Sequence, residues 1–199
     1  MRSLISEGIN MSIQLDNGDT PIHLTAGKDN VDIVKLLIDE GVSPNILKSD
    51  NSTPLHDDAQ SGKDESIKLL IEHGADVNAK DKDGLTALLW ASQAGKDESI
   101  KLLIKYGADV NAKDKDGLTA LLWGLQTGKD EAIKFLIGHG ADVKATTKNN
   151  ETALHYAARR GDPRVELVGL LIKNGADVNA KDIRENTALY WTVDDGNLL

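Results

Sequence analysis

Three histidines, His23, His56 and His155, each follow a threonine by three residues. A metal site would need such imidazoles to converge within bonding distance of one ion. At the same spacing the two intervening positions hold Leu89 and Leu122, which cannot ligate, so the histidines read as packing and hydrogen-bonding groups. The strings "DKDG" at Asp81 and Asp114 resemble the start of a calcium loop, but the twelfth positions are Ser92 and Leu125 where a bidentate Glu is required. "GKDE" lacks the earlier Gly and the following Ser or Thr of a phosphate loop. Neither G-x-S-x-G nor H-E-x-x-H occurs, and Asp57 and Asp58 point different ways from one short helix, so general acid-base work has no paired carboxylates. Without Cys there is no thiol nucleophile. The residues predict no enzyme, no metal and no cofactor.

The aromatics are better organised than the titratable groups. The chain of 199 residues holds only 3 Trp, 3 Tyr and 1 Phe, which is poor filling for one thick core. Four of the seven, Trp90, Trp123, Tyr156 and Trp191, nevertheless occupy one recurring position, a stripe that packs between units and presents edges to a partner. The formal charge is -9, which disfavours nucleic acid because phosphate binding relies on basic side chains. Residues 1 to 62 hold 4 basic and 10 acidic side chains, so the N-terminal third is the acidic end. No apolar run is long enough for a membrane helix, and the first residues lack a signal-peptide core. These features predict an intracellular, cytoplasmic chain with no membrane contact, delivery into a host cell remaining open.

The elements that position these residues follow from repetition. Residues 63 to 95 recur at 96 to 128 with five changes in 33 positions, and Thr20, Thr53, Thr86, Thr119 and Thr152 keep the same spacing, with Thr187 following after 35. A period of this length predicts a solenoid, whose units bury their apolar faces only by stacking. Each Thr is placed to cap a short first helix, with Pro21 and Pro54 at first helical positions. Gly62, Gly95, Gly128 and Gly161 end that helix, and a second one such as "ESIKLLIEH" follows, ending at Gly74, Gly107, Gly140 and Gly175. The polar "ADVNAKDKDG" between units reads as an extended finger tipped by "KDKDG".

The combined pattern of "TPLH", a "V/I-K-L-L" second helix and "GADVNA" resembles the ankyrin repeat over nearly the whole chain. The resemblance implies an all-α ankyrin-repeat solenoid, with stacked helix pairs and projecting β-hairpin fingers. We expect one array of five full repeats at 15–47, 48–80, 81–113, 114–146 and 147–181, flanked by half repeats at 1–14 and 182–199. Three departures stand out. Asp29 replaces the Gly between the helices of the first unit, Asp57 and Asp58 replace a small or apolar pair, and residues 162 to 169 carry two extra residues that lengthen a turn or a second helix. Neither end has an obvious polar cap, so the half units serve as caps or the chain is an excerpt of a longer array.

The resemblance further implies partner binding through finger tips and the inner ends of the first helices. Carried onto this chain, the tips are Asp16, Asn17 and Asp19; Ser49, Asp50 and Ser52; Lys82, Asp83 and Leu85; Lys115, Asp116 and Leu118; and Lys148, Asn149 and Glu151. The helix ends add Gln60, Ser61, Gln93, Ala94, Gln126, Thr127, Arg159 and Arg160, with Trp90, Trp123 and Tyr156 as anchors. This surface is expected to run from acidic through an apolar middle to basic. Asn78, Asn111 and Asn179 also resemble the finger Asn that asparaginyl hydroxylases modify in animal ankyrin repeats, although a side chain bonding turn backbone is the favoured reading. The expected function is a monomeric, non-enzymatic protein-interaction module. The alternatives are the targeting part of a larger host-directed effector and a synthetic consensus-like scaffold.

Overall fold

The computed structural model describes residues 13–16, 18–25, 30–159 and 165–194. Among them eleven helices follow one another in pairs. The first members are α1 (Pro21–Thr25), α3 (Pro54–Ser61), α5 (Ala87–Ala94), α7 (Ala120–Thr127) and α9 (Ala153–Arg159). Their second members are α2 (Val31–Asp39), α4 (Asp64–Glu72), α6 (Asp97–Lys105), α8 (Asp130–Gly138) and α10 (Val165–Lys173), and α11 (Ala188–Asp194) closes the series.

Local chemistry sets the helix limits. The hydroxyls of Thr86 and Thr119 accept from the Leu89 and Leu122 amides, while Thr53 and His56 form a reciprocal capping box. Gly62, Gly95 and Gly128 stop α3, α5 and α7 at φ of 73°, 64° and 79°, a left-handed turn without steric cost for Gly. The second helices carry acidic pairs such as Asp64 and Glu65 in the first turn, where the helix dipole favours negative charge. Helix α10 has nine residues, as α8 has, and residues 160–164, where the longer turn or helix was expected, lie outside the described residues with Gly161. Asp29 also lies outside them.

Packing turns the period into a core. Ile22, Leu55, Leu88, Leu121 and Leu154 occupy one position of successive first helices and are all buried. They meet Val34 and Leu37, Ile67 and Leu70, Ile100 and Leu103, and Ile133 and Leu136 of the second helices. Burying each such side chain stabilises by about 1.5–3 kcal/mol, so a thin core of small aliphatic residues suffices when it runs the length of the array.

The fingers differ from the extended hairpins read from the sequence. Among the described residues there is no sheet, only an isolated bridge between Lys181 and Thr187. Each tip instead closes on itself, the Asp81, Asp114, Thr147 and Asp182 amides donating to the carbonyls four residues later at 2.9–3.1 Å. Such a tight closure demands a left-handed residue, and Gly84, Gly117, Asn51, Asn150 and Glu185 take positive φ at this one position.

Candidate protein interface

Among the described residues four backbone hydrogen bonds run from finger to finger. Lys82 donates to Asp50, Lys115 to Asp83, Lys148 to Asp116 and Ile183 to Asn149, at 2.8–2.9 Å. The tips are thereby locked in a row, and their side chains project from a backbone that is already satisfied. A second row of bonds lies at the finger bases. Asn45, Asn78 and Asn111 each donate through Nδ2 to the carbonyl of Gly74, Gly107 and Gly140, and accept from the amides of Asp76, Asp109 and Asp142. These asparagines therefore strap one unit to the next rather than bonding their own turn.

The histidines form a third strap. Nδ1 of His56 and of His155 accepts from the amide of the preceding Thr at 3.1 Å, which makes Nε2 the protonated nitrogen. It donates to the Leu85 carbonyl from His56 and to the Asn186 carbonyl from His155, each at 3.1 Å. A second proton would break the cap, and burial holds His56 below the ordinary imidazole range. His23 caps Thr20 in the same way, and burial with the neighbouring Lys48 ammonium brings it down to about 4. Among the described residues no cluster of three or more His, Asp or Glu is arranged to hold a metal.

Two members of the aromatic stripe are tied to the fingers by an offset of nine residues, whereas the Trp123 indole N–H, nine residues after Asp114, has no hydrogen-bond partner among the described residues. Trp90 Nε1 donates to Asp81 at 2.9 Å and Trp191 Nε1 to Asp182 at 3.0 Å. Burial disfavours charge on Asp182, but N–H groups from Asn186, the Trp191 indole and Arg184 outweigh it and hold its carboxyl below the usual range. Trp90 and Trp191 also meet the preceding histidines edge-on, at 5.5 Å from His56 and 5.3 Å from His155. In the second unit the same two positions carry Lys48 and Asp57, joined by an ion pair at 2.7 Å, with Asp19 on the other side of the ammonium at 3.5 Å. Asp57, one of the departures from the repeat pattern, is thus one half of a substituted pair. Burial raises its carboxyl above the usual range, and Lys48 opposes the shift. Asp58, pointing the other way, is fully buried.

The residues expected to meet a partner fall into three groups. Asp16, Ser49, Asp50, Lys82, Asp83, Lys115, Asp116, Lys148 and Asn149 are exposed on the tips, and Gln60, Ser61, Gln93, Ala94, Gln126 and Arg159 are exposed at the helix ends. Asp19, Leu85, Leu118, Glu151, Trp90, Trp123 and Thr127 are half-buried, and Leu85, Leu118 and Trp123 lean on the core. Ser52 and Tyr156 are 0% and 8% exposed, so neither side chain is offered outward. Ser52 donates to Asp50 at 2.6 Å, and the Tyr156 hydroxyl to Glu151 at 3.1 Å. Asn17 and Arg160 lie outside the described residues. The charges are also less free than their order suggests, since Lys115 pairs with Asp83 at 2.6 Å and Lys148 with Asp116 at 3.8 Å. Sequence reasoning missed Lys48, Asp81, Asp182 and Arg184, which comparing positions nine residues apart in every unit would have brought out.

Stacked helix pairs, capped at Thr and strapped through fingers and histidines, define a repeat solenoid whose finger tips are joined in a row. A family model described as ankyrin repeats matches three times, over residues 1–81, 59–147 and 126–198, and the chain belongs to the ankyrin repeat family. The crystal structure of the ankyrin repeat domain of Bcl-3, a member of the IkappaB protein family, is similar with a TM-score of 0.82. It is 29% identical, and the match covers 96% of this chain and 85% of that one. No curated protein matches the chain at comparable significance. Ankyrin repeats are protein-interaction modules, and among the described residues no helix is long and apolar enough to cross a membrane.

Proposed function

We propose that the chain is a monomeric, non-enzymatic binding module that holds one protein partner along the finger tips and first-helix ends. The observation that carries this reading is the satisfied backbone row at the tips, from which exposed side chains of Asp50, Lys82, Asp83, Lys115 and Asp116 project beside Gln60, Gln93 and Gln126. Rigid presentation keeps the ordering cost of association on the partner's side. Half-buried Leu85, Leu118 and Trp123 supply apolar contact in the middle, and charged ends set orientation.

Affinity capture with mass spectrometry, followed by titration of the captured partner, tests the reading. Replacing Leu85, Leu118 and Trp123 by Ala should weaken binding about 10- to 100-fold, the scale of a central anchor cluster. Unchanged affinity in variants that melt as a folded array would remove the tip surface from consideration.

A further inference from the structure

The row of tips does not end as it runs. Through its middle, two tip lysines face the Asp of the finger before them, Lys115 facing Asp83 and Lys148 facing Asp116. At the last junction the two positions hold Ile183 and Asn149, so the fingers are joined there by the backbone bond alone. The tip position of Asn149 changes again one finger later, and one helix-end position changes with it. The Asp of the earlier tips, Asp50, Asp83 and Asp116, becomes Arg184, and the Gln of the earlier helix ends, Gln60, Gln93 and Gln126, becomes Arg159. Both arginines line one recess of about 290 Å³ with Asn149, Glu151, Tyr190 and Trp191.

The recess is built for an anion. The Arg159 guanidinium lies over the Trp191 ring, 5.8 Å from its centroid and within cation–π range. Trp191 is itself held by Asp182, so the platform is anchored from below. The carboxylates in the wall are already engaged. Asp182 accepts from Trp191 and from the Arg184 and Asn186 amides, and Glu151 accepts from the hydroxyls of Thr147 and Tyr156. Tyr190 and Ile183, 53% and 59% exposed, add an apolar wall.

Resting on the partner-binding reading above, we infer that this recess takes a carboxylate side chain, Asp or Glu beside an apolar residue, from the bound protein segment. A planar guanidinium edge matches a carboxylate with two parallel hydrogen bonds. Glu151 and Asp182 match the two arginines in number, so the lining offers guanidinium donors without net positive charge, which suits a singly charged carboxylate better than a doubly charged phosphate.

Nuclear magnetic resonance on the full chain tests this directly through the indole N–H signals of its three tryptophans. The probes are the peptides acetyl-Ala-Glu-Leu-Glu-amide, its Gln counterpart, and a phosphoserine counterpart. The Glu peptide should move the Trp191 signal saturably and leave Trp90 and Trp123 in place. The Gln peptide should bind about tenfold more weakly, the scale of a charge-assisted hydrogen bond, as should the Glu peptide to the R159Q/R184Q variant. Equal response to Glu and Gln peptides in the unaltered chain overturns the inference, and tighter binding of the phosphoserine peptide overturns the choice of carboxylate. Silence at Trp191, with partner binding still dependent on Trp123, removes the recess alone. Loss of the Trp123 dependence removes the wider interface.

Discussion

At the residue scale, the positions nine apart behave as a pair in three units, the Asp114 and Trp123 positions being the exception. Asp81 with Trp90 and Asp182 with Trp191 are hydrogen-bonded, whereas Lys48 with Asp57 is an ion pair in the same geometry. Either arrangement satisfies the polar atoms, and a mixture satisfies neither. Lys48→Asp alone would place a carboxylate against Asp57, Asp19 and Asp50. Asp57→Trp alone would leave a half-buried ammonium with the longer contact to Asp19 only. Each single change is expected to destabilise by about 1–3 kcal/mol, and the double change Lys48→Asp/Asp57→Trp to recover much of that loss, a coupling of about 0.5–3 kcal/mol. Chemical denaturation of the four proteins measures it. Additive losses would show that the two positions do not act as one.

At the element scale, what was legible in the sequence was what each unit decides for itself. Thr caps, Pro at first helical positions and Gly stops depend on neighbours within four residues, and the helices begin and end where those signals place them. The straps were not legible, because Asn78 and His56 find their partners 29 to 31 residues away, at distances that stacking alone sets. The same cause hid the burial of Ser52 and Tyr156, which were placed at the surface by position within a unit. One tip remains locally strained. Glu185 adopts φ of 64° where its counterparts are Gly or Asn, and a left-handed residue with an ordinary side chain costs roughly 1–2 kcal/mol. Its exposed contact with Lys181 offsets little of this. Glu185→Gly is therefore expected to raise the melting temperature by about 2–4 °C. A fall would mean that the side chain contributes more than the backbone loses.

At the scale of the whole molecule, burial of one position depends on where in the array it stands. Leu121 is 1% exposed and Leu154 is 5% exposed, but Leu189, the same position in α11, is 75% exposed. Val178 and Ile172 are likewise half open, while Val143 and Ile137 one unit earlier are buried. One side chain therefore has two energetic values in one protein. Leu121→Ala should cost about 2–5 kcal/mol and Leu189→Ala less than about 0.5 kcal/mol, read by the midpoint of urea unfolding. Similar losses at both positions would argue that α11 is covered in solution.

The straps from finger to finger also bear on how such a chain changes over generations. Through the middle of the array the bonds that join units, such as Lys82 to Asp50 and Asn78 to Gly107, are made between one unit and the next by groups that recur in register. Unequal recombination that copies 33 residues in frame creates a junction whose donors and acceptors already fit, wherever the breakpoint falls within the period. The near-identical stretches 63 to 95 and 96 to 128 have the form such an event leaves behind. Copy number is then a quantity that inheritance can alter in one step, without a new contact having to be invented.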